Sequence, residues 1–186
     1  MDIEPYHQGD LDCLCGLYAV VNSISHSLRN SSPMDGTDCH KLFNRLVEHL
    51  RDTGMLVRAL TYGLSTTATN RMLGEARSWL LKTKGVKLRR SAPFHRMSNL
   101  QYSYLVNSIS THLAAPNTSV LVAISGRIDH WTVIREIRPK SIMLSDSYGT
   151  SRFSIQSTVV ATAGDKQNLN CLVPSACFLI ETTVTN

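Results

Sequence analysis

The apolar pattern of this chain changes period near residue 117, and that change limits the folds open to it. Before that point apolar residues recur every three or four positions. Leu17, Val20, Val21, Ile24 and Leu28 form one stripe, predicting a helix from Cys15 to about Leu28. Asn30-Ser31-Ser32-Pro33 breaks it and Asp35-Gly36 reads as a turn. Thr37 is a candidate cap for a second helix carrying Leu42, Phe43, Leu46, Val47 and Leu50, closed by Asp52-Thr53-Gly54. A third helix is expected from about Ala68 to Lys82, stopped by Gly85, and a fourth from about Asn99 to Ala114, bounded by Pro116-Asn117. Short β-branched runs follow: Ser119 to Ile124, Trp131 to Ile137, Ser141 to Leu144 and Ala176 to Thr182. Their short connectors favour antiparallel pairing. Helices first and strands afterwards predict an α+β fold, with a helical part over about 1–116 and a β-rich part over about 117–186. A length of 186 residues with 42% hydrophobic content fits one domain around a sizeable core.

Within that frame, the segment Gln8-Gly9-Asp10-Leu11-Asp12-Cys13-Leu14-Cys15-Gly16-Leu17-Tyr18-Ala19 carries the most chemistry. A polar loop runs into Cys-Gly where the first helix begins, placing the Cys15 thiol beside unpaired N–H groups and the positive end of the helix dipole. A thiol reacts as thiolate, and an ordinary cysteine pKa of about 8.5 must be lowered for that. His130 opens a predicted strand and is the candidate proton acceptor; Asp146 ends the following strand, beside Ser147 and Gly149. A hairpin through Arg138-Pro139-Lys140 would bring His130 to Asp146, which could fix the imidazole tautomer. Asp129 competes for that role, but neighbouring strand residues point to opposite faces, which favours Asp146. The Cys15 backbone N–H and the Gln8 side-chain amide are candidate donors to an oxyanion.

The segment Gln8 to Asn22, with His130-Trp131 and Leu144-Ser145-Asp146-Ser147, resembles the papain-like cysteine peptidase superfamily. It looks closest to small bacterial branches with a Cys-His-Asp triad, similar to the peptidases that process bacteriocin leaders. The resemblance implies a helical N-terminal subdomain, a β-rich C-terminal one and an active cleft between them. It implies Cys15 as nucleophile, His130 as base and acid, Asp146 as orienting residue and Gln8 as oxyanion donor, with a protein or peptide as substrate and no cofactor. The same triad serves glutamine deamidation and transglutamination, and an idle domain of this type would be a protein-binding module. The Gln8-to-Cys15 interval is longer by one residue than the superfamily's usual one, and Cys13 stands as the alternative nucleophile or as a resolving thiol.

The remaining features read as structural. His26, His40, His49 and His112 fall inside predicted helices, while His7 lies close to the nucleophile loop. Trp131 is expected to shield the imidazole and pack the two parts together. Zinc at Cys13, Cys15, His7 and Cys39 is disfavoured because Cys-x-Cys suits tetrahedral ligation poorly and no second pair matches it. Five scattered cysteines, Cys39, Cys171 and Cys177 among them, do not form a disulfide framework, which fits a reducing compartment. The formal charge is +5, with basic residues gathered at Lys82, Lys84, Lys87, Arg89, Arg90 and Arg96. No nucleic-acid motif or aromatic interleaving accompanies them, so solvation of a helix end and strand is the plainer reading. No apolar run is long enough for a membrane span and the N-terminus lacks a signal pattern. The expectation is a cytoplasmic protein, or an effector exported without a readable signal, with too few residues before Gln8 for a propeptide.

Overall fold

The computed structural model describes residues 4–8, 13–97, 99–161 and 169–185. Residues 9–12 of the nucleophile loop lie outside that set. The architecture is α+β. Four helices come first: α1 (Cys15–Leu28), α2 (Gly36–Asp52), α3 (Leu56–Tyr62) and α4 (Thr66–Lys84). Strand β1 (Val86–Ser91) and helix α5 (Tyr102–Leu113) follow. The remaining strands are β2 (Thr118–Gly126), β3 (His130–Arg138), β4 (Ser141–Ser145), β5 (Arg152–Ser154), β6 (Thr158–Val160) and β7 (Asn170–Val184).

The sheet runs in the order β1-β7-β2-β3-β4-β5, every pair antiparallel. Beside this path β6 pairs with β7 in parallel, a departure from the all-antiparallel expectation. One face is covered by α1 to α4, whose Leu17, Leu42, Met72 and Leu80 share a core with Leu121, Trp131, Val133 and Phe178 of the sheet. The other face carries α5, with Leu105 and Ile109 packed on Val120, Val122, Ile134 and Leu172. Helix α1 is buried along almost its whole length. Two of its serines are paired inside: Ser23 Oγ meets Ser119 Oγ at 2.7 Å, Ser119 Oγ donates to the Ser23 carbonyl at 2.9 Å, and Ser27 Oγ donates to the Ile24 carbonyl at 2.9 Å.

Several boundaries move for identifiable reasons. Asp35, not Thr37, caps α2: its Oδ1 accepts from the Asp38 N–H at 2.7 Å, so Thr37 falls inside the helix. Ser65 caps α4 and starts it two residues before the expected Ala68. Asn99 has φ +58°, which a helix cannot continue, so α5 begins only after Gln101. Strand β1 lies inside the part expected to be helical. Gly85 takes a left-handed turn at φ +61°, and Val86 and Leu88 then alternate with Lys87 and Arg89, burying two apolar side chains among four helices. The last strand begins six residues earlier than expected. Its register against β2 jumps from Val122↔Cys177 to Ile124↔Leu172, and the unmatched stretch holds Pro174, which has no N–H to give a ladder.

Candidate active site

Cys15 is the first residue of α1, and the residue before it, Leu14, offers no side-chain hydrogen bond to the helix start. The Leu17 and Tyr18 N–H groups donate to the Leu14 carbonyl at 2.8 and 3.1 Å, so the first-turn N–H groups with no acceptor inside the helix are those of Cys15 and Gly16. Gly16 packs tightly next. A Cβ there would lie 3.0 Å from both Cβ and Cδ1 of Leu64, which is buried in the α3–α4 loop. The same residue's carbonyl accepts the Trp131 indole N–H at 2.8 Å. Leu64 thus ties the start of α1 to the strand residue next to His130.

His130 opens β3, and its Nε2 lies 2.7 Å from Asp146 Oδ1. Both are buried, at 8% and 2% exposure. The second carboxylate oxygen, Oδ2, accepts from the backbone N–H groups of Tyr148 at 3.0 Å and Thr150 at 3.3 Å. The turn that delivers those donors needs Gly149 at φ +79°. Asp129 is exposed in the connection just before β3, and among the described residues no hydrogen bond links it to His130.

The electrostatics follow from this packing. Burial is the largest single influence on His130 and opposes its cation. The hydrogen bond to Asp146, hydrogen bonding with the Cys15 side chain and the charges of both partners outweigh it, and the imidazole pKa is pushed up to about 9. Burial likewise favours the neutral acid at Asp146. His130 above all, with the Thr132 hydroxyl and the Tyr148 N–H, holds its pKa below the ordinary carboxylate value nonetheless. With Nε2 taken by Asp146, Nδ1 is the ring atom left for the thiol. Cys15 is half-buried, and its Sγ also reaches the Cys13 carbonyl at 4.0 Å, the outer edge of a sulfur hydrogen bond.

Gln8 arrives by a separate route. Asn22, one face of α1, accepts from the Tyr6 N–H at 2.9 Å and donates to the Tyr6 carbonyl at 3.1 Å, holding residues 4–8 against the helix like a strand partner. Gln8 N–H then donates to the Ser147 carbonyl at 3.1 Å, and Ser147 Oγ reaches Gln8 Oε1 at 3.5 Å. The four sequence candidates therefore fall into one neighbourhood: Cys15 and Asp146 both interact with His130, and Gln8 bonds the residue after Asp146.

Other candidates separate. Cys13 is exposed and directs its Sγ to the Thr61 carbonyl at 3.5 Å, toward α3. Cys39 is buried near Tyr6 and Ser25, and Cys171 and Cys177 are buried in β7. His49 pairs with Glu75 at 3.4 Å, and His112 with the Ile180 carbonyl at 3.0 Å. His7 lies by Gly149, with 3.9 Å from its Cε1 to the position a Cβ would take there. Trp131 packs the helical layer on the sheet as expected, stacking on Phe178 at 6.2 Å. The ring set against the imidazole is instead Tyr148, edge-on at 5.5 Å and 64% exposed. Tyr148, Leu64 and Asn22 are the contributors that sequence reasoning passed over. Only Asn22 left a signal there, as a polar residue within the apolar pattern of a helix.

Comparison with family models, curated proteins and solved structures gives no match to this chain.

Proposed function

We propose that this protein is a papain-like cysteine hydrolase or acyltransferase that cleaves peptide bonds through an acyl-enzyme at Cys15. The observation that carries this reading is the chain of contacts from the first residue of α1 to His130 and on to Asp146, with Nε2–Oδ1 at 2.7 Å. His130 takes the thiol proton and is held as its cation by Asp146. The Cys15 sulfur attacks the substrate carbonyl, and the oxyanion is met by the Cys15 N–H and the Gln8 amide N–H. Collapse of the tetrahedral species breaks the C–N bond as the imidazolium gives its proton to the departing amine. Water, deprotonated by the same imidazole, then hydrolyses the thioester and releases the acid. Tyr148, at the rim of the imidazole, is placed to limit solvent access to it.

The test is alkylation by iodoacetamide, mapped to individual cysteines by mass spectrometry across pH in wild type and His130→Ala. Cys15 should label at least about tenfold faster than Cys13 near pH 6.5, and His130→Ala should remove that lead. A fast Cys13 would move the nucleophile by two residues. Equal rates at Cys13 and Cys15, unchanged by His130→Ala, would sink the hydrolase reading and leave a protein-binding domain.

A further inference from the structure

The strongest feature outside the Cys15 site is an open groove of about 1200 Å³ along the edge strand β1. It is lined by Arg77, Lys87, Arg89, Arg90 and Arg96, against a single carboxylate, Glu181. None of these five cations forms an ion pair among the described residues. The basic run read in the sequence is thereby divided. Lys84 leaves it to pair with Asp38, and Arg77 joins it from the exposed face of α4.

The groove straddles the strand rather than lying on one face. Arg90 reaches α4, its Nε donating to Asn70 Oδ1 at 2.6 Å, while Leu88 on the same side enters the helical core. Lys87 and Arg89 alternate to the opposite side, where Glu181 is the cross-strand partner of Arg89. Between them runs the outer edge of β1, which pairs with no strand among the described residues. Exposed lysines alone are a common way to keep an edge from aggregating. That purpose does not require Arg90 to stand half-buried beside Arg77 with a neutral amide as partner. Burial, and after it the Arg77 charge, pull the Arg90 pKa below its ordinary value, the mark of a cation lacking its counter-charge.

We propose that the edge of β1 binds an acidic peptide segment in extended conformation, which pairs with β1 as an added strand and places carboxylates on Arg77, Arg90, Lys87 and Arg89. An unpaired edge supplies backbone donors and acceptors for main-chain recognition, and alternate side chains then meet cations on both sides. Bidentate guanidinium–carboxylate pairs suit Arg90, whose Asn70 bond already fixes its plane. A nucleic acid is the lesser fit. Phe178, the one Phe, Tyr or Trp among the described lining residues, is buried and stacked on Trp131, and the lining imidazoles of His95 and His112 are each tied to a backbone carbonyl, at Ser175 and Ile180.

The experiment is fluorescence anisotropy on the full chain with a labelled peptide of about eight residues in a Glu-Glu-Val-Val repeat, which carries carboxylates on both faces and is long enough to span the six of β1. The same peptide with N-methylated amides along one edge and an oligothymidylate of equal charge are measured beside it. Binding is expected to weaken with salt, and to fall at least about tenfold both on N-methylation and in Arg77→Glu. Arg77→Glu alters an exposed helix position, and Arg90→Gln should give the same loss while keeping the Asn70 bond; thermal unfolding confirms that each is folded. Equal binding of the methylated peptide would overturn strand addition. Unchanged affinity in both variants would overturn the location, and tighter oligothymidylate binding would overturn the ligand class. No turnover enters the readout, so the outcome is separate from that of the Cys15 reading.

Discussion

The Cys15 site and the β1 groove both concentrate charge, but they treat it in opposite ways. At His130 and Asp146 every charge is buried and answered: one imidazole nitrogen by a carboxylate oxygen at 2.7 Å, and the other carboxylate oxygen by two backbone N–H groups. In the groove the cations are exposed or half-buried and meet amides or one another. A self-contained cluster holds its geometry without a ligand, as proton transfer at a fixed distance requires. A cluster of five cations against one carboxylate gains most of its stabilisation only when something anionic arrives.

The sharpest way to break that comparison is to remove one member from each region. Asp146→Ala strands a buried imidazole and orphans the Tyr148 and Thr150 N–H groups, and should cost about 3–5 kcal/mol in urea unfolding. Arg77→Ala removes a cation with no acidic partner and should change stability by less than about 0.5 kcal/mol. Equal losses would mean that the groove, too, is a structural network.

Sequence and structure agree best where a residue's local chemistry is also its tertiary role. His130, Asp146 and Gly149 were legible because a strand end, a carboxylate and a left-handed glycine in one turn have few other uses. Gly16 after Cys15 was legible as a helix start, but its reason was not. The contact is with Leu64, forty-eight residues on, in a loop with no motif. Strand β1 was hidden for a different reason. Only Val86 and Leu88 are apolar in Val86-Lys87-Leu88-Arg89-Arg90-Ser91, and its membership in the sheet is decided by β7, which arrives ninety residues later. The short α3 was missed because its seven residues follow a stop signal, Asp52-Thr53-Gly54, that does end α2.

A pH series sharpens the contrast from the other side. His130 has a folded pKa of about 9 against 6.5 for a free imidazole. Its folded state binds the proton more tightly, so its contribution to stability is complete below pH 6.5 and is lost as pH rises through about 9. Asp146, held below its ordinary 3.8, contributes above that value and loses its share as pH falls through its folded pKa. The stability of wild type minus that of His130→Gln, from urea curves between pH 6 and 9.5, should therefore fall by about 3 kcal/mol. A flat difference would show that the imidazole is not held as a cation. The same subtraction with Arg77→Ala, which removes neither an imidazole nor a carboxylate, should stay level.

The smallest effect is the most specific to the groove. Like charges at Arg77 and Arg90 repel, and Arg90 is only half-buried, so solvent already screens much of that repulsion. Raising the salt concentration should stabilise wild type relative to Arg77→Ala by about 0.2–0.5 kcal/mol, because ions screen a repulsion that the variant no longer has. The His130–Asp146 pair is shielded from mobile ions by burial and should give no comparable increment when His130→Gln replaces Arg77→Ala in the same experiment. An increment of the opposite sign at Arg77 would place a hidden counter-charge beside it. The groove would then be answered internally, as the Cys15 site is, and the difference between the two regions would disappear.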